Sequence, residues 1–197
     1  MEGRNNLYPI FIKMNRINTL IVGGGNVALE KLTFLLKSSP DAQVTMVANT
    51  FNDAVLTLAE QFDVKIIRMS YDRAFLVDMD MVIAATDRVL VNKQIHDDAK
   101  ARNLLVNVAD TPELCDFYLG GIVTKGHVKV AISTNGKSPT TAKRLRQFFE
   151  EVIPENIDQL VQNLNLYRQT IKGDFAYKVS TLNKITKGLI TQKRNVL

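Results

Sequence analysis

The chain has 197 residues, of which 46% are hydrophobic and 23% charged, and its formal net charge is +5. That length suits one domain with an appendage or two small domains, and the apolar fraction excludes a disordered chain. Its longer apolar runs, such as Leu20-Ile21-Val22 and Met81-Val82-Ile83-Ala84-Ala85, fall well short of the ~20 residues that a bilayer-crossing helix requires.

Met1-Glu2-Gly3-Arg4-Asn5-Asn6 is polar and leads into a short apolar stretch broken by Pro9, so no signal peptide is expected. From Thr19 to Val22 the sequence reads as a strand, followed by a helix from Asn26 to Leu36 with Val27, Leu32, Leu35 and Leu36 mostly on one side. Val44 to Val47 is a second strand and Asn52 to Gln61 its helix. Val64 to Ile67 and Met81 to Ala85 are the third and fourth strands. A helix from Val89 to Arg102 leads to a fifth strand, Leu104 to Val108. This alternation predicts an α/β, Rossmann-like, doubly wound parallel sheet covered by helices on both faces.

The pattern then changes. Leu119 to Val123 and Val128 to Ser133 are β-rich and are separated by Thr124-Lys125-Gly126-His127, which reads as a hairpin. Ser138 caps a further helix with Pro139 at its first position. After Pro154 the remainder is helix-like, with Ile157, Leu160, Val161, Leu164 and Tyr167 spaced by three or four.

Positive charge is concentrated in two places. Lys178, Lys184, Lys187, Lys193 and Arg194 occupy a stretch from Ala176 to Leu197 with no acid, and Lys137, Lys143, Arg144 and Arg146 surround the Ser138 helix start. Such patches attract polyanions: nucleic acid, anionic lipid, or a small molecule with several carboxylates or phosphates. The alternative is a solvated basic face. Neither aromatic interleaving nor a recognition helix supports nucleic acid. The single cysteine, Cys115, forms no internal disulfide, and no Cys/His cluster has zinc-ligand spacing, so a cytoplasmic protein is expected. Cys115 reads as a buried small apolar group and not as a nucleophile, and His96 and His127 as surface residues.

Gly23-Gly24-Gly25-Asn26-Val27-Ala28 fits G-x-G-x-x-A directly after a strand and at the start of a helix. Gly23 permits the tight turn, Gly25 lets backbone approach a pyrophosphate, and Ala28 lets helix and strand pack closely. The helix N-terminus then faces the phosphates with unpaired N–H groups. The second strand ends in Asn49-Thr50, without the usual carboxylate for the ribose hydroxyls and without a cation directly after it, which favours NAD over NADP. Thr86 and Asp87 end the fourth strand on the edge where such sheets bind ligands; Asp87 is equally placed to cap the next helix. Asn107-Val108-Ala109-Asp110 ends the fifth strand on the same edge. Asp110 is therefore either a base beside the nicotinamide or a turn aspartate before Thr111-Pro112.

These motifs occur, with Cys115-Asp116-Phe117 and Ala131-Ile132-Ser133-Thr134-Asn135-Gly136-Lys137-Ser138-Pro139, in the order found in the precorrin-2 dehydrogenase/sirohydrochlorin ferrochelatase family. That family includes the N-terminal module of multifunctional siroheme synthase. The chain resembles it from about Leu7 to the end of the Ser138 helix. The resemblance implies a homodimer with an NAD-binding domain (1–113), a β-rich dimerisation region (114–150) and a helical C-terminal domain (151–197). It also implies NAD-dependent oxidation of precorrin-2 to sirohydrochlorin, followed in some members by ferrous iron insertion to give siroheme. Asp110 matches the family's catalytic aspartate, a base in dehydrogenation and a proton acceptor in chelation. Gly23, Gly24, Gly25, Asn26, Val27, Asn49 and Thr50, bordered by Thr86 and Asp87, match the cofactor side.

Asn107, Ser133, Thr134, Lys137 and Ser138 match segments expected to meet the substrate. Thr134 replaces a serine of the siroheme synthase module, keeping the hydroxyl and adding a methyl. Precorrin-2 carries eight carboxylates, which suits the basic residues; neither a nucleic acid nor a membrane is an expected partner. The chain ends after the helical region, so the methyltransferase domain of the multifunctional enzyme is expected to be absent. No motif marks a metal site. The competing expectation is a non-catalytic NAD-sensing module signalling through its helical tail, which has no use for a base at Asp110.

Overall fold

The computed structural model describes residues 5–188; Lys193 and Arg194 of the basic tail and the first four residues of the chain lie outside them. The described residues form two compact units. One holds the residues up to Gly121 together with Ile132–Lys143, and the other holds Ile122–Ala131 together with the residues from Arg144 onward.

The first unit is built on five strands: β1 (Asn18–Val22), β2 (Gln43–Ala48), β3 (Lys65–Arg68), β4 (Met81–Ala84) and β5 (Leu105–Val108). They pair in parallel in the order β3-β2-β1-β4-β5. Between them run α1 (Asn26–Ser38), α2 (Asp53–Gln61) and α3 (Val89–Lys100). In central β1 every residue from Thr19 to Val22 is buried, as expected of a strand covered on both faces. Alternate side chains go to opposite layers. Ile21 packs with Ala28, Leu32 and Leu36 of α1 and with Val55 and Ala59 of α2. Leu20 and Val22 pack with Ile95 and Ala99 of α3. Because β1 lies between β2 and β4, the chain leaves it in opposite directions, which opens a crevice at the carboxyl ends of the strands.

β6 (Gly121–Lys125) and β7 (Val128–Ile132), which supply residues 122–131 of the second unit, pair with each other and with no other described strand, turning at Gly126, whose φ is +56°. The pairing starts two residues later than the sequence suggests. Leu119 is exposed, and Gly120 lies so close to Ile132 that an added Cβ would stand 2.4 Å from its carbonyl oxygen. After α4 (Pro139–Val152) the expected helix-like remainder comprises α5 (Ile157–Thr170) and α6 (Phe175–Thr186). Gly173 breaks it at φ +132°, and the Asp174 carboxylate restarts it by accepting the Tyr177 amide at 2.8 Å. No described helix is long and apolar enough to cross a membrane.

Candidate functional site

The glycine turn lies at the crevice. Gly23 takes φ +135°, and a Cβ there would stand 2.3 Å from the Ala85 carbonyl oxygen; on Gly24 it would stand 2.0 Å from the Thr50 carbonyl oxygen. Both positions therefore exclude side chains for reasons of packing within the protein. Gly25 is different. An added Cβ there meets nothing within 4 Å, so its lack of a side chain keeps open a space that the protein itself does not fill. Gly25 is the N-cap of α1 and no side chain caps it. The first helical bond runs from Leu29 to the Gly25 carbonyl, leaving the amides of Asn26, Val27 and Ala28 directed at that space without helical partners. An open glycine cradle facing a helix N-terminus fits a pyrophosphate. The Asn26 side chain accepts from Asn52 Nδ2 at 3.0 Å, which ties the turn to the start of α2.

The ribose side is built from the end of β2. The Asn52 amide donates to the Gly24 carbonyl at 2.9 Å, so Thr50 is held against the turn. Asn49 is exposed and accepts from the Ser70 hydroxyl at 2.9 Å. Two residues that sequence reasoning missed also stand here: Phe51, and Arg68, whose guanidinium lies over the Phe51 ring at 5.7 Å. No local motif could reveal them, since Arg68 arrives from a neighbouring strand.

At the end of β4 the Thr86 hydroxyl donates to Asn92 Oδ1 at 2.6 Å, the Thr86 amide reaches the same oxygen at 3.2 Å, and Asn92 Nδ2 returns a bond to the Thr86 carbonyl at 3.0 Å. Asn92 is buried on the α3 face that carries Ile95 and Ala99. A polar residue on an apolar stripe was the available signal for this positioning role. The N-cap of α3 is Arg88, with no side-chain cap; exposed Asp87 makes no such bond, and Thr86 with Asn92 closes the corner instead.

Asp110 follows β5 on the same edge of the sheet. It is exposed and has φ +59°, a left-handed conformation that aspartate tolerates better than most residues. Its carboxylate has no hydrogen-bond or ion-pair partner among the described residues, so it does not close the turn; the Thr111 amide does so through the Val108 carbonyl, at 3.2 Å.

Asn107, expected on the substrate side, lies under the loop that follows β5. Its side chain is buried, and its amide donates to the Phe117 carbonyl at 2.8 Å and to Cys115 Sγ at 3.4 Å. It holds the following loop against the strand. Burial pushes the Cys115 thiol pKa up, against the Val108 backbone hydrogen bond, which keeps it protonated and a poor nucleophile.

The loop after β7 belongs to the same unit as the sheet. Asn135 at φ +54° and Gly136 at φ +72° make a tight turn closed by the Lys137 amide on the Thr134 carbonyl at 3.0 Å. The Thr134 hydroxyl donates to the Ser138 carbonyl at 3.1 Å and accepts its amide at 3.2 Å. Ser133 Oγ accepts from Asn135, and Ser138 Oγ accepts from Thr141. The hydroxyls thus shape the loop, while Lys137 is exposed. On α4, Arg146 pairs with Glu150 at 2.6 Å.

The histidines have local roles. His96 is half-buried and bonded to Asp97 at 2.9 Å, and exposed His127 is bonded to Asp158 at 2.7 Å. Among the described residues no three His, Cys, Asp or Glu side chains come together to hold a metal. A recess of about 400 Å³ lies at the opposite, amino end of the sheet, and its lining includes Asp41 and Asp63 without a cation, which suits no phosphate.

Comparison with known proteins places these features. Residues 10–121 match a family model described as "Putative NAD(P)-binding", and residues 125–151 match one described as "Sirohaem biosynthesis protein central". The chain is 37% identical over 177 residues to a siroheme synthase of Psychrobacter cryohalolentis, covering 90% of this chain and 33% of the relative. It is 38% identical over 169 residues to one of Pseudoalteromonas translucida, covering 86% and 35%. The chain thus spans about a third of the length of these relatives. Its fold is similar to that of SirC, a precorrin-2 dehydrogenase, with TM-score 0.75 and 22% identity over 91% of this chain and 89% of that one.

Proposed function

This chain belongs to the NAD(P)-binding family of siroheme-biosynthesis proteins, and from that premise we propose that it oxidises precorrin-2 to sirohydrochlorin with NAD. The observation that carries the reading is the free, exposed carboxylate of Asp110, on the sheet edge that also bears the open cradle at Gly25. The dinucleotide, when bound, supplies the acceptor for the hydride that leaves the tetrapyrrole. The Gly25 space and the amides of Asn26, Val27 and Ala28 would hold its pyrophosphate, and the Thr50 segment would border its ribose. The accompanying proton goes to Asp110. Hydrogen-bonded to nothing else, it is available as a general base. A non-catalytic sensor gives no reason for an unpartnered carboxylate in a left-handed backbone position at this edge.

The eight carboxylates of the substrate suit Lys137 and Lys143, both exposed. Ser133, Thr134 and Ser138 shape the loop that presents Lys137. We assign residues 114–150 to dimerisation and place the protein in the reducing cytoplasm, where Cys115 stays a thiol. Ferrous iron insertion would call on the same carboxylate to take the displaced pyrrole protons. Anaerobic incubation with precorrin-2 and NAD tests the oxidation: sirohydrochlorin absorbance is expected to appear with NADH, and its absence overturns the reading. Ferrous iron added afterwards tests chelation by the appearance of the siroheme spectrum.

A further inference from the structure

No cation directly follows β2 in sequence, yet the fold brings one there from β3. Ala48 and Arg68 are register partners at the carboxyl ends of the two strands. The guanidinium of Arg68 lies 5.7 Å from the centroid of the Phe51 ring, within the range in which a cation is attracted to an aromatic face. Phe51 is itself fixed beside the phosphate turn, since a Cβ on Gly24 would stand 3.0 Å from both its Cα and its Cδ1. Arg68 is exposed, and among the described residues no carboxylate pairs with it. The nearest acid along β2's chain, Asp53, begins α2.

The end of β2 is where the adenosine ribose of a dinucleotide lies. A carboxylate there binds the 2′-hydroxyl, while a nearby arginine accommodates a 2′-phosphate. Here Ala48-Asn49-Thr50-Phe51 contains no acid, so nothing on that segment repels a phosphate, and a guanidinium is already in place. The geometry points to Arg68 as the specificity-determining residue of the dinucleotide site, one that gives this chain a second usable cofactor, NADP, alongside NAD. The inference rests on the dinucleotide reading above. An arginine can fork two N–H groups onto phosphate oxygens while its flat face stays on an aromatic ring, which an ammonium cannot do. The cation–π contact with Phe51 also restrains the side chain before ligand arrives, which lowers the ordering cost of binding.

The test is a titration of the whole protein with NADH and with NADPH, read by nicotinamide fluorescence. Wild-type dissociation constants are expected within about tenfold of each other. Arg68→Ala should weaken NADPH by about 10- to 100-fold more than it weakens NADH, as loss of a charge-assisted phosphate contact requires. Competition should follow the same pattern, with adenosine 2′,5′-bisphosphate losing potency in the variant and ADP keeping it. Equal losses for both dinucleotides, or wild-type binding of NADH with NADPH excluded by more than about 100-fold, would overturn the assignment while sparing the dinucleotide site. Binding of neither nucleotide by the wild-type protein would overturn both.

Discussion

Lys100 and Asp116 meet beside β5, the ammonium standing 2.8 and 2.9 Å from the two carboxylate oxygens. The same carboxylate accepts the Val106 amide at 3.0 Å, and the Asp116 amide donates to the Val106 carbonyl at 2.8 Å. The loop that leaves Asp110 is thereby pinned back onto the strand that delivers it. Partial burial opposes the charge on Asp116, but the Lys100 and Val106 hydrogen bonds outweigh it and hold the carboxyl below the ordinary carboxylate range. The unfolded carboxyl titrates near 3.9, at about the reference value. The stabilisation is therefore complete above that pH and is lost as pH falls through the lower folded value. Asp116→Asn should cost about 0.5–1.5 kcal/mol at pH 7, with the gap in melting temperature to wild type closing toward pH 3. An equal gap at both pH values would contradict this.

Two adjacent glycines should respond in opposite ways. Gly24→Ala forces a methyl onto the Thr50 carbonyl and should destabilise the fold by about 1–3 kcal/mol. Gly25→Val meets no protein atom at its Cβ, so the fold should be kept within about 1 kcal/mol while dinucleotide binding is lost. Thermal unfolding and calorimetric NAD titration of both variants check the contrast, and normal NAD binding by Gly25→Val would remove the cradle.

For Asp110 the informative variant is Asp110→Asn, because asparagine also tolerates the left-handed backbone that φ +59° imposes. Precorrin-2 oxidation should fall by about 10²–10⁴-fold with NAD affinity and melting temperature unchanged. Asp110→Ala should lose activity equally and about 1 kcal/mol of stability besides, from the strained conformation alone. An active Asp110→Asn enzyme would take the carboxylate out of the reaction.

The two-stranded sheet of β6 and β7 pairs with no other described strand, and α4 leaves Leu145, Phe148 and Val152 at least 40% exposed. Contiguous apolar surface of this kind is normally covered, and unpaired sheet edges likewise. A homodimer through residues 114–150 should therefore be found by light scattering at micromolar concentration, and Phe148→Asp should shift it to monomer. A wild-type monomer mass would refute the interface.

The strands were legible because a parallel sheet buried on both faces demands uninterrupted apolar runs, and Leu20-Ile21-Val22 and Met81-Val82-Ile83-Ala84 supply them. The phosphate turn was legible because its chemistry is local: six consecutive residues carry it. The loop contact of Asn107 was not legible because alternation along a short strand does not tell which of its ends a following loop will cover, and Phe117 returns to cover this one. Arg68 was invisible for a different reason, since its place beside Phe51 follows from the pairing of β2 with β3 across some twenty intervening positions. Ser133, Thr134 and Ser138 read from sequence as substrate groups, and their bonds to one another become visible only once the Asn135-Gly136 turn is folded.

The central place of β1, paired on one side with residues 43–47 and on the other with residues 81–84, has a thermodynamic consequence. Each fragment of the ligand-binding edge hangs from a different strand, so none is positioned until strands distant along the chain have found each other, a slow kind of assembly. Dinucleotide binding then recognises only the completed sheet. By mass action, ligand at one hundred times its dissociation constant adds about 2.7 kcal/mol to the folding of the unit it binds. Because the Gly25 cradle is joined through Thr50 to β2 and through Ala85 to β4, that increment is shared by the whole sheet. Amide exchange should slow on adding NAD as far away as Leu32 and Ile95, neither of which can touch it.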